Sequence, residues 1–426
     1  MLTFNRNLLI IGFILLSSTA YSQTAWTWTQ KADMPEKIAN NAVSHGEMAG
    51  NPYVFSFGGI DTTKIYSGIN KRAFRYDVNN DIWDEIDTLP VVLPLVASSA
   101  NTVKNKLYIL GGYHVQSNGN EISSVEVIIY DPETDTYEAN GASIPVPIDD
   151  QTQCVWRDSL IYVITGWSNS GNVPNIQIYD PALDSWSVGT DLPDDNFHKA
   201  FGSSGTIIGD TIFYYGGAST GWNFPARKDL RKGVINSSDP TQITWTLEEE
   251  GINSNYRSAC ISHGSNIFWV GGSETSYNYN GIAYNGSGGV EPAYSISRYD
   301  AQSQIWFEGT GSPFGIMDMR GSGQVSATSW VVCGGMEDGQ QVSDQTYLLE
   351  YDPIVGSVSE IETPGFKIVN REIIFEKQVQ DVRLIGVDGK IIQQISNNII
   401  PANVFGIYIL QFNHNGQKFN SKIKLD

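Results

Sequence analysis

The chain has 426 residues, enough for one large domain and an appendage. Its 12% aromatic and 41% hydrophobic content excludes a disordered chain, and its 42 glycines point to many short strands joined by tight turns. Twenty-six Lys+Arg against 46 Asp+Glu leave a net charge of −20, which argues against a nucleic-acid partner, since that needs clustered cations.

Residues 1–22 read as a signal peptide. Arg6 supplies the positive start, Leu8 to Leu16 the apolar stretch, and Ala20-Tyr21-Ser22 the small-x-small cleavage site. Nine apolar residues are too few to cross a bilayer as a helix, and no later run is long enough. The expected product is secreted or on the outer surface, and does not span a membrane.

A repeat follows. An apolar run ends in paired glycines at Gly58-Gly59, Gly111-Gly112, Gly216-Gly217, Gly271-Gly272 and Gly334-Gly335. In one copy Thr165-Gly166 replaces the pair. The intervals are 53, 54, 51, 55 and 63 residues. Next come Tyr-Asp, a turn and an aromatic: Tyr76-Asp77 with Trp83, Tyr130-Asp131 with Tyr137, Tyr179-Asp180 with Trp186, Tyr299-Asp300 with Trp306. The fourth copy keeps only Trp245. Each copy reads as four strands, with one predicted over Lys106 to Leu110 and the next over residues 124–130. Glycine suits the crowded strand ends, and the aromatics suit the space between neighbouring sheets.

This pattern resembles the kelch repeat across residues 26–356. The resemblance implies an all-β fold, a six-bladed kelch-type β-propeller. The sixth copy has Tyr351-Asp352 but no following tryptophan. The N-terminus has Trp26, Trp28 and Met34-Pro35, so the first strand is expected to complete the last blade.

Charge marks a boundary. Residues 23–356 hold 17 basic and 39 acidic residues (17 − 39 = −22), whereas 357–426 hold 8 and 7 (8 − 7 = +1). The expected division is 1–22 signal peptide, 23–356 propeller, and 357–426 a small β-sandwich. Val387-Asp388-Gly389-Lys390, Phe405-Gly406-Ile407-Tyr408-Ile409-Leu410 and Lys422-Ile423-Lys424-Leu425 resemble the C-terminal sorting domain of type IX secretion in Bacteroidetes. That resemblance implies the type IX machinery as a partner. Val404-Phe405 departs from the usual form before the glycine.

Cys154, Cys260 and Cys333 lie in apolar runs without CxxC spacing and read as buried hydrophobes. The five histidines form no HxxxH or HExxH, and neither a metal nor another cofactor is expected. Asp77 to Asp81 starts like an EF-hand loop but lacks its glycine and closing glutamate, and falls on a repeat turn.

If the four strands a to d of a blade run antiparallel, the d–a and b–c connections share one mouth. Candidate ligand-binding residues there are Arg257 and Arg320 at the opening of strand a, with Lys199 nearby. After the glycines stand His114, Trp167, Trp222, Glu274 and Tyr277. The fifth b–c loop, Gly272 to about Ser295, is long enough to be functional. Aromatics with polar groups suit a carbohydrate, and arginines suit a carboxylate on it. The competing reading makes those arginines inter-blade ties. The favoured function is a non-catalytic binding module for carbohydrate or protein. The alternative is a sugar mutarotase or epimerase resembling N-acetylneuraminate epimerase, with Arg257 or Arg320 binding the sugar's carboxylate and Glu274 transferring a proton to the ring oxygen. A copper radical oxidase is the least favoured, because its ligand set cannot be assembled. The signal-peptide reading predicts an exported product beginning at Gln23, which intact-mass measurement checks.

Overall fold

The structure is a computed structural model that describes residues 26–352, 366–369, 372–375, 378–386, 390–394, 406–414 and 417–425. The signal segment, Val387-Asp388-Gly389 and Val404-Phe405 lie outside the described residues.

Trp26–Asp352 forms one all-β compact unit. It contains six four-stranded antiparallel cores in chain order. The second is typical: Ser99–Val103, Lys106–Leu110, Val127–Asp131 and Thr136–Tyr137. The sixth takes Gly323–Ser326, Ser329–Cys333 and Thr346–Tyr351 from the chain's end, with Trp26–Gln30 as its outer strand. That strand runs antiparallel, Trp26 opposite Tyr351 and Gln30 opposite Tyr347. The first strands of successive sheets lie side by side. Arg320–Gly321 continues the series from the fifth sheet back to Ala42–Met48 of the first, pairing with it in parallel.

The second strands have lost the period-two pattern because both faces are covered by neighbouring sheets. Ile267, Phe268, Trp269 and Val270 are all buried. Outer strands cover one face only, as in Ile82–Ile86, where Trp83 alone is buried. The Tyr-Asp pair has two tasks. Asp77 accepts the backbone N–H groups of Asn79 and Asn80 (3.0 and 2.9 Å), closing the turn. The Tyr76 hydroxyl donates to Asp81 at 2.6 Å, and Tyr179 to Asp184 at 2.7 Å. In the fifth sheet Gln304 takes the acid's place, and Tyr299 turns to Glu248 instead. The outer indoles donate to backbone of an adjacent connection: Trp83 to Ala32, Trp186 to Ala142, Trp245 to Thr190 and Trp306 to Glu249.

The first glycine of each pair abuts the next sheet. A Cβ on Gly271 would sit 2.2 Å from the Ile316 carbonyl oxygen, and one on Gly216 2.2 Å from that of Asn255. Thr165 replaces this glycine in the third sheet, and its Oγ1 accepts the Ala200 N–H at 3.1 Å.

Beyond the glycines, a ring of backbone hydrogen bonds links all six sheets. Ala97 N–H donates to Asn40 O (3.4 Å), Asp150 to Ala97 (3.2 Å), Gly202 to Asp150 (2.7 Å) and Arg257 to Gly202 (2.8 Å). Met319 donates to Arg257 (3.1 Å), and Asn40 to Asp318 (3.0 Å). Asn40, Ala97, Asp150, Gly202, Arg257 and Asp318 all take left-handed φ, between 49° and 69°. For the five that are not glycine this costs about 1 kcal/mol or more each, which the surrounding pairing must offset.

The C-terminal segment comprises a hairpin, Phe366–Val369 with Glu372–Phe375, and a four-stranded antiparallel sheet. That sheet is built from Gln380–Gly386, Ile391–Gln394, Gly406–His414 and Gln417–Leu425. Ile373, Val382, Leu384, Leu410 and Phe412 form its core.

Gly264 and Gly271 separate backbone strain from crowding. Both have positive φ (58° and 64°), but nothing lies within 4 Å of a Cβ on Gly264. Gly264→Ala should cost about 1 kcal/mol in urea unfolding, and Gly271→Ala about 3 kcal/mol or more. Equal costs would show that close approach between sheets does not set the glycine requirement.

Candidate functional site

Side chains of three ring residues, Asp150, Arg257 and Asp318, meet. The Arg257 guanidinium donates to Asp150 through Nε (3.0 Å) and Nη2 (2.5 Å), and to Asp318 through Nη1 (2.9 Å). It is 1% exposed and packs over the rings of Tyr256 and Tyr277 at 5.1 and 5.4 Å. Burial opposes its charge, yet Asp150, Tyr256 and Asp318 outweigh burial and hold it protonated. Burial pushes the Asp318 carboxyl up to about 6 against the pull of Arg257. Arg320 donates to Ser99 Oγ (2.9 Å) and the Gln151 carbonyl (2.8 Å), and its Nη1 stands 3.6 Å from Asp150.

A small cleft of about 90 Å³ borders this cluster. Its aromatic lining is Tyr113, Trp167, Phe201, Phe224 and Tyr284, and its polar lining is Glu121, Asp149 and Asp150. Local pairing explains the assembly. Tyr113–Val115 and Glu121–Ser123 form a hairpin after the second glycine pair. Trp167 begins a second hairpin and exchanges both backbone hydrogen bonds with Asp149 at 2.9 Å, which sets the indole beside that carboxyl. Phe224 and Tyr284 come from the fourth and fifth b–c loops. Trp167, Phe201, Phe224 and Tyr284 pack edge to face, with centroids 5.1 to 6.0 Å apart.

The acids are perturbed. Asp149 is 4% exposed and accepts the Ser123 hydroxyl at 2.5 Å. Burial, then the neighbouring Asp150, raises its pKa well above the usual carboxylate range. Burial also raises Glu121, against a hydrogen bond from Asn278 and the charge of Arg257.

Of the residues named from sequence, Trp167 lines the cleft. Tyr277 is buried in the apolar cluster around it, and Arg257 sits fully engaged by Asp150 and Asp318. Arg320 lines a different cavity, the polar channel between the first strands. His114 is half-buried on the Tyr113 hairpin. Lys199 pairs with Asp194, three residues before the ring position that Gly202 holds. Trp222 is 90% exposed. Glu274 borders a separate cleft with Thr275, Val290 and Glu291, which neither arginine lines. Sequence reasoning missed Glu121, Asp149, Asp150, Phe201 and Phe224. A signal existed for Asp150: it stands at the repeat position of Arg257. Among the described residues, no group of three His, Cys, Asp or Glu is arranged to hold a metal ion. No described helix is long and apolar enough to cross a membrane.

A kelch motif is recognised at residues 94–139. Human Kelch-like protein 23 is 23% identical over 66% of this chain and 43% of its own length. Beta-scruin of Limulus polyphemus is 25% identical over 41% of this chain and 19% of its own. The chain thus spans less than half of these two relatives. N-acetylneuraminate epimerase 1 of Escherichia coli O6:H1 is 23% identical over 71% of this chain and 90% of its own. The solved structure of YjhT, a kelch-type propeller, matches with a TM-score of 0.60 at 12% identity, covering 82% of this chain and 99% of that one. Kelch proteins are therefore what this sequence resembles, and the kelch-type propeller is the fold it shares.

The raised pKa of Asp149 has a thermodynamic sign. An unfolded aspartate titrates near 4. The folded carboxyl holds its proton to higher pH, so the stability it carries is present below about pH 4 and is lost as pH rises through the folded value. Asp149→Asn mimics the protonated form. Its melting temperature should gain on the parent chain as pH is raised from 4 to 8, and a difference that is flat with pH refutes the assignment.

Proposed function

We propose that the chain is an exported six-bladed kelch propeller, closed by Trp26–Gln30, that acts as a carbohydrate-binding module. The observation that carries this reading is the cleft itself. It sets a continuous aromatic wall against buried carboxyls, which is what a sugar's apolar ring face and hydroxyl edge require. The first-strand ring and the N-terminal strand pairing support the blade count and closure. The kelch relatives support an interaction role. Export rests on the signal-peptide and sorting-domain resemblances alone.

A second reading is sugar mutarotation or epimerisation. It is favoured by coverage of 90% of the Escherichia coli epimerase. In this chain the acid would be protonated Asp149, not Glu274. It would deliver its proton to the ring oxygen as the anomeric C–O bond breaks, while a nearby carboxylate takes the anomeric hydroxyl proton.

Isothermal titration of the mature chain against neutral, N-acetylated, amino and acidic sugars tests the binding reading. Trp167→Ala should weaken the best ligand about tenfold or more, and Trp222→Ala should leave it unchanged. Anomer exchange by NMR on that ligand then separates enzyme from binder. Silence across the panel transfers the reading to a protein partner.

A further inference from the structure

The charge of the cleft restricts what it accepts. Among the described residues that line it, three are carboxylic acids and none is a cation. Arg257, the nearest arginine, has its donors turned to Asp150 and Asp318. Lys199 is held by Asp194. A carboxylated sugar would find no cation with free donors in this lining.

The same lining suits a positive group. Asp149 is 4% exposed and uses one oxygen on the Ser123 hydroxyl; its Oδ1 has no hydrogen bond among the described residues. Glu121 stands on the neighbouring hairpin, close enough that its charge raises Asp149. Trp167, Phe224 and Tyr284 add aromatic surface, whose π faces attract a desolvated cation. An ammonium group has three donors and no acceptor, which matches carboxyl oxygens with vacant acceptor positions.

We propose that the ligand of this cleft carries a protonated amine: an amino sugar whose ammonium group sits between Glu121 and Asp149 while its ring packs on the Trp167 wall. This rests on the carbohydrate reading above. Binding draws Glu121 and Asp149 toward their ionised forms, so protons leave as the ligand enters. The groups facing Glu121 are Asn278, Arg257, Asp150 and Asp149. Those facing Asp149 are Ser123, Asp150, Glu121 and Arg257. Arg257 is the sole positive charge in either set.

The test is calorimetric titration of the full mature chain with glucosamine, galactosamine and mannosamine, each beside its N-acetyl counterpart, and with N-acetylneuraminate. At least one amine should bind about tenfold more tightly than its N-acetyl partner. Its apparent enthalpy should vary with the buffer's ionisation enthalpy in the sense of proton release, and N-acetylneuraminate should not bind. Glu121→Gln and Asp149→Asn should each reduce the amine preference below about threefold, with circular dichroism melts confirming folding. If an N-acetyl sugar binds as well as or better than its amine, the amine proposal falls and the carbohydrate reading stands. A preference that survives both substitutions overturns the placement. If no sugar binds, both readings fall.

Discussion

Six backbone hydrogen bonds around the central axis are the constraint on which the rest of this unit depends. Each links the opening of one sheet's first strand to the next, and each demands a left-handed residue. Three of the ring residues, Asp150, Arg257 and Asp318, are charged and buried, and none of these charges would be tolerated unpaired. Arg257 answers both Asp150 and Asp318, and Arg320 approaches Asp150 from the channel. Buried ion clusters of this kind contribute little net stability, but removing one member leaves an uncompensated charge.

The site follows from that frame. Backbone pairing of Asp149 with Trp167 places an acid and an indole side by side. The b–c loops of the second to fifth sheets add Glu121, Phe224 and Tyr284 on the same side. The loops differ in length and sequence while the sheets beneath them repeat, so a pseudo-symmetric body carries an asymmetric cleft. The acidic lining also sets this chain apart from what its epimerase relative's name would lead one to expect. An N-acetylneuraminate ligand is an acid, and Arg257 is engaged within the ring by Asp150 and Asp318.

Departures from the repeat show which contacts the fold insists on. Thr165 stands where glycine is otherwise required, and its hydroxyl takes up a neighbouring backbone N–H. Gln304 replaces the turn acid, and Tyr299 finds Glu248 instead. In both cases the polar group is still satisfied by a partner, as burial demands.

Much of the architecture was legible because the repeat is local. Paired glycines, Tyr-Asp and the outer tryptophan each mark a strand end, a turn or an inter-sheet contact at fixed spacing, and the strand over Lys106–Leu110 lies where it was expected. The same spacing placed Trp167 in the cleft and Arg257 at the opening of its strand. It could not reveal that Arg257 faces Asp150, because those residues are 107 apart and meet only across the ring. Nor could it raise Glu121 and Asp149 above other surface acids, since their altered protonation comes from burial by loops of four different sheets. Sequence determined the elements and their order, through short-range backbone and side-chain preferences. Tertiary structure decided which charges meet, which are buried, and hence what the cleft accepts, because burial and long-range pairing exist only once the sheets have come together.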